Sequence, residues 1–124
     1  MRVLVTGANG FVGHAAVQSL AQKGHCVGAQ TRQIPAVPWP ADASITPCVT
    51  DLYQAHGVQA ALQGCDWVLH TAARVHQVRE TAANPLEAYR KVNTQYTLEL
   101  ASAAAAQGVK RFVFLSSIKV NGEW

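Results

Sequence analysis

Short apolar runs recur along the chain and alternate with segments whose apolar residues follow a helical period. The runs are rich in β-branched side chains, which is typical of strands buried on both faces of a parallel sheet. Because proline cannot donate to a strand ladder, Pro47 indicates that the third run is a short strand or an edge strand. The predicted strands are residues 3–5, 26–30, 45–49, 66–70 and 111–115.

Helical patterns fill three of the intervals between these runs. They predict three helices, each followed by a glycine suited to a C-terminal cap: 11–23 with Gly24, 54–63 with Gly64, and 84–107 with Gly108. The third helix begins with Asn84 as N-cap, Pro85 at the first helical position and Glu87 as the acid of a capping box. Residues 34–43, rich in proline, and the polar residues 74–83 are predicted to be loops.

The alternation of strands with helices predicts an α/β fold of the Rossmann type. We expect a doubly wound parallel sheet with right-handed crossovers and strand order 3-2-1-4-5. The chain of 124 residues is expected to form one domain over residues 1–124. Ligands of such sheets bind outside the carboxyl ends of the strands, where the order reverses between strands 1 and 4. The residues that follow each strand are therefore candidates for a binding site.

Residues 1–13, MRVLVTGANGFVG, combine a buried strand, a glycine turn and the start of a helix. In this context Gly7 lets the chain leave the strand sharply, and Gly10 lets a pyrophosphate approach the backbone. Gly13 lets the helix pack closely on the strand. The unpaired N–H groups and the dipole of the helix start favour a phosphate. The pattern predicts a dinucleotide site, and a turn that binds no ligand is the alternative.

Composition and charge argue against several other classes of function. The net charge is +3, Lys and Arg do not cluster, and aromatic residues do not interleave with them, so no nucleic-acid partner is expected. The cysteines, Cys26, Cys48 and Cys65, lack metal-ligand spacing and resemble small apolar fillers in a reducing compartment. The histidines form no H-x-x-x-H pair, and the chain shows no signal segment and no long apolar span. We expect a cytoplasmic protein without a metal or a membrane contact.

Several short motifs together indicate a family. They are T-G-A-N-G-F-V-G from Thr6, Asp51-Leu52 after the third strand, H-T-A-A from His70, V-N at 92–93 and S-S-I-K-V-N-G from Ser116. In combination they resemble the extended short-chain dehydrogenase/reductase family, and most of all its NAD-dependent epimerases and dehydratases of nucleotide sugars. The segment from Ser116 is similar to enzymes that make UDP-N-acetylhexosamines for bacterial surface polysaccharides.

The resemblance implies a row of cofactor-binding residues: Gly7, Asn9, Gly10, Phe11, Val12, Gly13, Thr31, Arg32, Asp51, Leu52, His70, Ala72, Ala73, Asn93 and Ser116. Asp51 would accept a hydrogen bond from the exocyclic amine of adenine. The alternative is that Asp51 is a plain helix cap. Ala72 and Ala73 are small enough for a pyrophosphate or ribose to pass, or for close packing of strand on helix. Asn93 would tie the middle helix to the fourth strand through hydrogen bonds. Ser117 would have the catalytic role of holding the substrate oxygen at the reacting carbon.

The end of the second strand bears on the choice between NAD and NADP. The resemblance implies a carboxylate there that accepts the ribose 2′-hydroxyl of NAD, but Thr31 stands at that position. Arg32 follows, and it could meet the 2′-phosphate of NADP or be a solvated loop residue. Either cofactor is therefore expected, with NADP slightly favoured.

A catalytic tyrosine with a lysine four residues later belongs to the family pattern and is absent from this chain. The residues four positions after Tyr53, Tyr89 and Tyr96 are glycine, asparagine and leucine. The chain also covers less than half of the family's usual length. The resemblance therefore implies the amino-terminal part of a nucleotide-sugar epimerase or dehydratase, inactive by itself. The alternative is a non-catalytic dinucleotide-binding or sensor module.

The fifth strand is expected to form the edge of this truncated sheet. In the family a further strand would pair with residues 111–115, so here an apolar strand would present unpaired N–H and C=O groups. We expect self-association as a homodimer through this edge, which sedimentation at low micromolar concentration would detect. The nucleotide-sugar substrate is the other partner expected of the complete enzyme.

Overall fold

The computed structural model describes residues 1–33, 39, 44–71 and 91–115, with the backbone alone at 91–93. Strands and helices alternate along these residues, and every strand pairs in parallel with its neighbours. The elements are β1 (Arg2–Thr6), α1 (Phe11–Gln22), β2 (Cys26–Thr31), β3 (Ile45–Val49), α2 (Ala55–Leu62), β4 (Trp67–His70), a π-helical segment (Lys91–Tyr96), α3 (Thr97–Ala106) and β5 (Arg111–Phe114).

The sheet has the order β3-β2-β1-β4-β5, which confirms the predicted doubly wound α/β topology. β1 is the central strand, and its Leu4 lies opposite Gly28 of β2 on one side and Val68 of β4 on the other. β3 is an edge strand, where a residue without an N–H such as Pro47 is tolerated. The order reverses between β1 and β4, so the carboxyl ends of these two strands are the place for a ligand crevice.

Two apolar clusters lie on opposite faces of the sheet, because successive side chains of a strand point to opposite sides. One contains Val5 of β1 and is covered by α1 through Val17. The other contains Leu4 and is covered by α2 and α3 through Leu62 and Leu100. These five side chains are at most 1 % exposed. Each contributes about 1.5–3 kcal/mol to folding by leaving water.

The helices end where the glycines predicted. Gly24, Gly64 and Gly108 have positive φ angles of 88°, 74° and 80°, the left-handed conformation of a C-terminal cap. The bounds of α1 and α2 lie within one residue of their predicted bounds. The positions of these glycines therefore predicted the helix ends correctly.

The third helix differs from its prediction in form. Within the described part of the chain, residues 91–96 make a π-helical segment, and the regular α-helix α3 follows from Thr97. The predicted start at Asn84 lies outside the described residues. So does the predicted loop 74–83, and so does the loop 34–43 apart from Trp39.

The cysteines do not share one environment. Cys48 and Cys65 are partly buried and pack against the cluster around Leu4, and burial raises the pKa of both thiols. Cys26 is exposed, so its prediction as an apolar filler is wrong, because it begins β2 before that strand enters the core. The described residues contain no group of His, Cys, Asp and Glu suited to a metal. None of their helices is long and apolar enough to cross a membrane.

β5 is the other edge of the sheet within the described residues. Val113, Phe114 and Leu115 are 40, 50 and 43 % exposed, so the apolar edge expected from the sequence is present. Self-association through that edge stays a prediction.

A buried glycine determines how α2 meets the loop after β3. A Cβ at Gly57 would overlap the carbonyl oxygen of Asp51 and would lie 2.8 Å from Thr50 Oγ1. The helix therefore packs on the backbone of this loop with no side chain between them, which holds the Asp51 backbone in place.

We expect Gly57→Ala to destabilise the fold by about 1–3 kcal/mol, because the added carbon must be forced into a packed site. In an exposed helix the same exchange stabilises by about 1 kcal/mol, so the sign of the change separates the contact from helix propensity. Urea unfolding beside the parent protein measures it. Ala60→Gly, at an exposed position of α2, calibrates propensity alone. Unchanged or raised stability of Gly57→Ala would contradict the contact.

Candidate functional site

The carboxyl ends of the parallel strands place the described candidate residues along one edge of the sheet. The glycine turn 7–13 follows β1, Thr31 ends β2 and Asp51 follows β3. His70 ends β4 next to that turn, since it is in register with Thr6. Residues far apart in the chain are thus brought to the crevice position of a doubly wound sheet.

The turn after β1 is closed by its own backbone. Gly7 has a φ of 64°, a conformation that favours glycine, and its carbonyl accepts from the N–H of Gly10 at 3.0 Å. Gly10 is the N-cap of α1, and its carbonyl accepts the first helical hydrogen bond from His14 at 2.9 Å. In this described segment no side chain caps α1, and its first turn has no acidic residue. The N–H groups of that turn are therefore left for an anion.

Gly13 brings α1 against the end of β1. A Cβ there would overlap the carbonyl oxygen of Gly7 and would lie 2.9 Å from Thr71 Oγ1. Gly10 has more room, because its Cβ would lie 3.3 Å from the same carbonyl oxygen. The third glycine is therefore required for packing, whereas the second keeps the space in front of the turn open.

Asn9, Phe11 and Val12 face away from the core. Phe11 is 96 % and Val12 51 % exposed, whereas Gly13 and Val17 form the buried face of α1. The apolar pattern that predicted α1 thus included Phe11 and Val12, which do not pack in the core. Their exposure leaves them accessible to a ligand at the helix N-terminus.

The two candidates at the end of β2 have opposite surroundings. Thr31 is 2 % exposed, and its Oγ1 has no hydrogen-bond partner among the described residues. The backbone carbonyl of Thr31 accepts a hydrogen bond from the N–H of Thr50 at 2.9 Å. Arg32 is exposed. Of the two, Arg32 is the side chain that can reach a ligand from solvent, and Thr31 joins β2 to the loop after β3.

Asp51 caps a turn. Its Oδ1 accepts from the N–H of Tyr53 at 2.8 Å, and its carbonyl accepts from the N–H of Gln54 at 3.2 Å. The interpretation of Asp51 as a helix cap is wrong, because Gln54 is the N-cap of α2 and Asp51 precedes it. A carboxylate has further acceptor sites, so Asp51 keeps the capacity to accept from a ligand. Leu52, the neighbouring candidate, is partly buried and packs against the apolar cluster around Leu4.

Gln30, which the sequence did not single out, links three parts of this edge. Its side chain is 3 % exposed. Oε1 accepts from the N–H of Gly7 at 3.0 Å, and Nε2 donates to the carbonyl of Thr50 at 2.8 Å. A signal for it was available, since a glutamine within an apolar strand must find hydrogen-bond partners when it is buried.

His70 is enclosed at the end of β4, and both of its ring nitrogens have partners. Nδ1 lies 2.7 Å from Thr6 Oγ1, and Nε2 lies 3.1 Å from Thr97 Oγ1. The ring centroids of Phe112 and Phe114 are 6.0 and 5.9 Å from that of His70. Burial lowers the pKa of His70 to about 4, so the ring is neutral at neutral pH. It joins β1, β4 and α3, and its contact with a cofactor stays a prediction.

Thr71 fastens β4 to the end of β1. Its N–H donates to Thr6 Oγ1 at 3.0 Å, and its hydroxyl donates to the carbonyl of Thr6. The contact holds the chain where it enters the glycine turn. Thr71 was not among the predicted site residues, although it belongs to the H-T-A-A motif.

Several predicted residues fall outside the described part of the chain. These are Ala72, Ala73, Ser116 and Ser117, and Asn93 is described by its backbone alone. Their roles toward cofactor and substrate stay predictions. The described site consists of the glycine turn, the ends of β2 and β3, and the enclosed His70.

The chain matches known proteins over nearly its whole length. The NAD dependent epimerase/dehydratase family matches residues 3–123. A UDP-glucose 4-epimerase of Vibrio cholerae is 42 % identical over 122 residues, which cover 98 % of this chain and 36 % of that protein. A 3-beta-hydroxysteroid dehydrogenase of Mycolicibacterium neoaurum is 38 % identical over 123 residues, covering 96 % of this chain and 32 % of that protein.

A solved structure agrees with these sequence matches. MoeE5 in complex with UDP-glucose and NAD is similar with a TM-score of 0.78 and 33 % identity, over 100 % of this chain and 39 % of that one. The chain therefore spans about a third of the length of the curated relatives above. The shared part includes the sheet whose carboxyl edge is described above.

We expect acid to destabilise the protein through His70. Its pKa is about 4 in the folded chain against an ordinary 6.5, so the unfolded chain takes up a proton on this ring first as the pH falls. Stability present above pH 6.5 is therefore lost between about pH 6.5 and pH 4. The loss from this ring is on the order of 3 kcal/mol.

Urea unfolding across this pH range measures the effect. His70→Gln removes the titration and should flatten this part of the stability curve. His56→Gln, at an exposed position of α2, should keep the slope of the parent protein. Parallel curves for the parent and His70→Gln would show that the enclosed ring does not control acid stability.

Proposed function

The chain belongs to the NAD-dependent epimerase/dehydratase family, and we propose that it is the dinucleotide-binding portion of an enzyme acting on a nucleotide sugar. The observation that carries the proposal is the turn of Gly7, Gly10 and Gly13, which ends β1 where the strand order reverses. The uncapped start of α1 behind that turn suits a pyrophosphate. We propose the activity and the substrate for the complete enzyme, because the chain spans only about a third of its relatives' length.

Different residues of this edge would bind different parts of the cofactor. The first-turn N–H groups at Phe11 and Val12 would bind the pyrophosphate, and the Asp51 carboxylate would accept from the adenine amine. Arg32 would lie at the adenosine ribose. The nicotinamide ring of a bound cofactor would supply the acceptor for a hydride from a sugar carbon. Ser117 would hold the oxygen on that carbon and so orient the substrate.

A nucleotide sugar is the substrate class that the relatives support. The Vibrio cholerae relative is a UDP-glucose 4-epimerase, and MoeE5 was solved with UDP-glucose. The residues from Ser116 resemble enzymes of UDP-N-acetylhexosamines, so we include that narrower substrate and a role in bacterial surface polysaccharide synthesis. A cytoplasmic location is also part of the proposal, because Cys26, Cys48 and Cys65 are free, as in a reducing compartment.

A non-catalytic dinucleotide-binding or sensor module is the second candidate. It is favoured by one observation, that none of the tyrosines has a lysine four residues later. General acid–base catalysis typically contributes about 10²–10⁴-fold, so the chain without this pair would bind a cofactor and leave a nucleotide sugar unchanged. A Tyr-x-x-x-Lys motif found further along the same reading frame would support the enzyme over the binding module.

Gly10→Val should weaken NAD binding by about ten-fold or more, because its branched side chain fills the space through which a pyrophosphate approaches. A Cβ at this position would lie 3.3 Å from the Gly7 carbonyl oxygen, a tight contact but no overlap. Isothermal titration calorimetry measures the change. Ala15→Val is the control, since it adds the same branched side chain at an exposed position of α1 and should keep the parent affinity. Equal NAD binding by folded Gly10→Val and the parent would refute the cofactor site.

Cofactor preference should lean toward NADP, because Arg32 is exposed and no acid stands at Thr31. Competing titrations of NAD and NADP measure the preference. Arg32→Ala should lower NADP affinity by about ten-fold and leave NAD affinity nearly unchanged, since only NADP has the charged 2′-phosphate. Lys23→Ala, beyond the far end of α1, should change neither affinity. A clear preference for NAD that survives Arg32→Ala would overturn this assignment.

A further inference from the structure

A single buried amide joins the glycine turn to the loop after β3. Gln30 is 3 % exposed, and it lies next to the last residue of β2. Its Oε1 accepts from the N–H of Gly7 at 3.0 Å, and its Nε2 donates to the carbonyl of Thr50 at 2.8 Å. Its backbone carbonyl also accepts from the N–H of Ala8 at 2.8 Å. The first two N–H groups of the turn are thus both held by one residue.

The two ends of this bridge need opposite hydrogen-bonding character. Gly7 offers a donor and Thr50 offers an acceptor, so the bridging side chain must accept at one end and donate at the other. A neutral amide meets both requirements, whereas a carboxylate can only accept and an aliphatic side chain can do neither. Loss of the amide would leave two partly buried backbone groups without these partners, which costs free energy.

The bridge connects the two regions that the proposed cofactor would occupy. Gly7 opens the turn at the pyrophosphate position, and Thr50 directly precedes Asp51, the candidate adenine contact. The N–H of Thr50 also donates to the carbonyl of Thr31 at 2.9 Å, so the loop is tied to the end of β2 at both backbone groups of one residue. The spacing between the turn and Asp51 is therefore set within the protein before any ligand binds.

We propose that Gln30 is a positioning residue for dinucleotide binding, which holds the glycine turn and the Asp51 loop at the separation that one cofactor spans. The inference rests on the proposed dinucleotide function. Gln30 is enclosed and acts through Gly7 and Thr50. Because a frame built in advance lowers the ordering cost of binding, removing the bridge weakens cofactor affinity in the folded protein.

NAD titration of Gln30→Met tests the bridge, because methionine keeps the length of the side chain and loses both hydrogen bonds. We expect affinity to fall by about ten-fold at a temperature where circular dichroism shows the variant folded. Gln22→Met, the same exchange at an exposed position at the end of α1, should bind as the parent does. A purely structural role would lower the melting temperature and leave the affinity of the folded variant unchanged, which would overturn the inference.

Gln30→Glu provides a second measurement that does not depend on Gln30→Met being folded. As a neutral acid, the introduced carboxyl can accept from Gly7 and donate to Thr50, whereas its ionised form can only accept. Burial favours the neutral form, so NAD affinity of this variant should recover toward the parent value as the pH falls from 8 to about 5.5. The parent and Gln22→Glu, measured at the same pH values, are the controls. Affinity of folded Gln30→Glu that follows the parent at every pH would overturn the inference.

Binding measurements on the parent protein and on the Gln30 variants separate the dinucleotide function from the role of Gln30. A parent protein that binds neither NAD nor NADP refutes the dinucleotide function itself. A parent that binds, together with folded Gln30 variants of equal affinity, refutes only the role of Gln30.

Discussion

The site depends on the absence of side-chain volume between β1 and α1. Gly7 turns the chain with a positive φ, and Gly13 lies so close to the Gly7 carbonyl that no Cβ fits between them. This contact places the start of α1 directly at the end of the central strand, where the strand order reverses. An anion at that point meets the positive end of the helix dipole and the unpaired N–H groups together.

Polar side chains of the core are concentrated at the carboxyl ends of the strands. The buried polar residues among those described are Thr6, Gln30, Thr31 and His70, and each lies at or next to the end of a strand. Burial of polar groups costs free energy unless they are hydrogen-bonded. Thr6 is paired with His70 and Gln30 with Gly7, so these bonds run between elements. The apolar clusters hold sheet and helices together, and the polar contacts define where the strand ends lie relative to one another.

The edge contains a hydrogen-bonded frame and a set of solvent-exposed side chains. Gln30, Thr71 and His70 make hydrogen bonds that join the strand ends, and the side chains of Phe11 and Arg32 are exposed to solvent. Changes at exposed positions leave the hydrogen bonds of the frame intact, so one frame can serve several chemistries. The relatives that the chain matches include a UDP-glucose 4-epimerase and a 3-beta-hydroxysteroid dehydrogenase.

The sequence by itself determined the strands, their order along the chain, the helix ends and the family, because apolar periodicity, glycine positions and short motifs are local properties of the chain. Pro47 indicated a short strand or an edge strand, and the strand order of the sheet places β3 at the edge. The tertiary structure decided the surroundings of the candidates: Phe11 is exposed, Thr31 is buried, and Asp51 caps a turn. Gln30 and His70 obtain their roles from partners 23 and 64 residues away in the chain. No local pattern encodes these contacts, since the groups involved meet only after the parallel strands have assembled into the sheet.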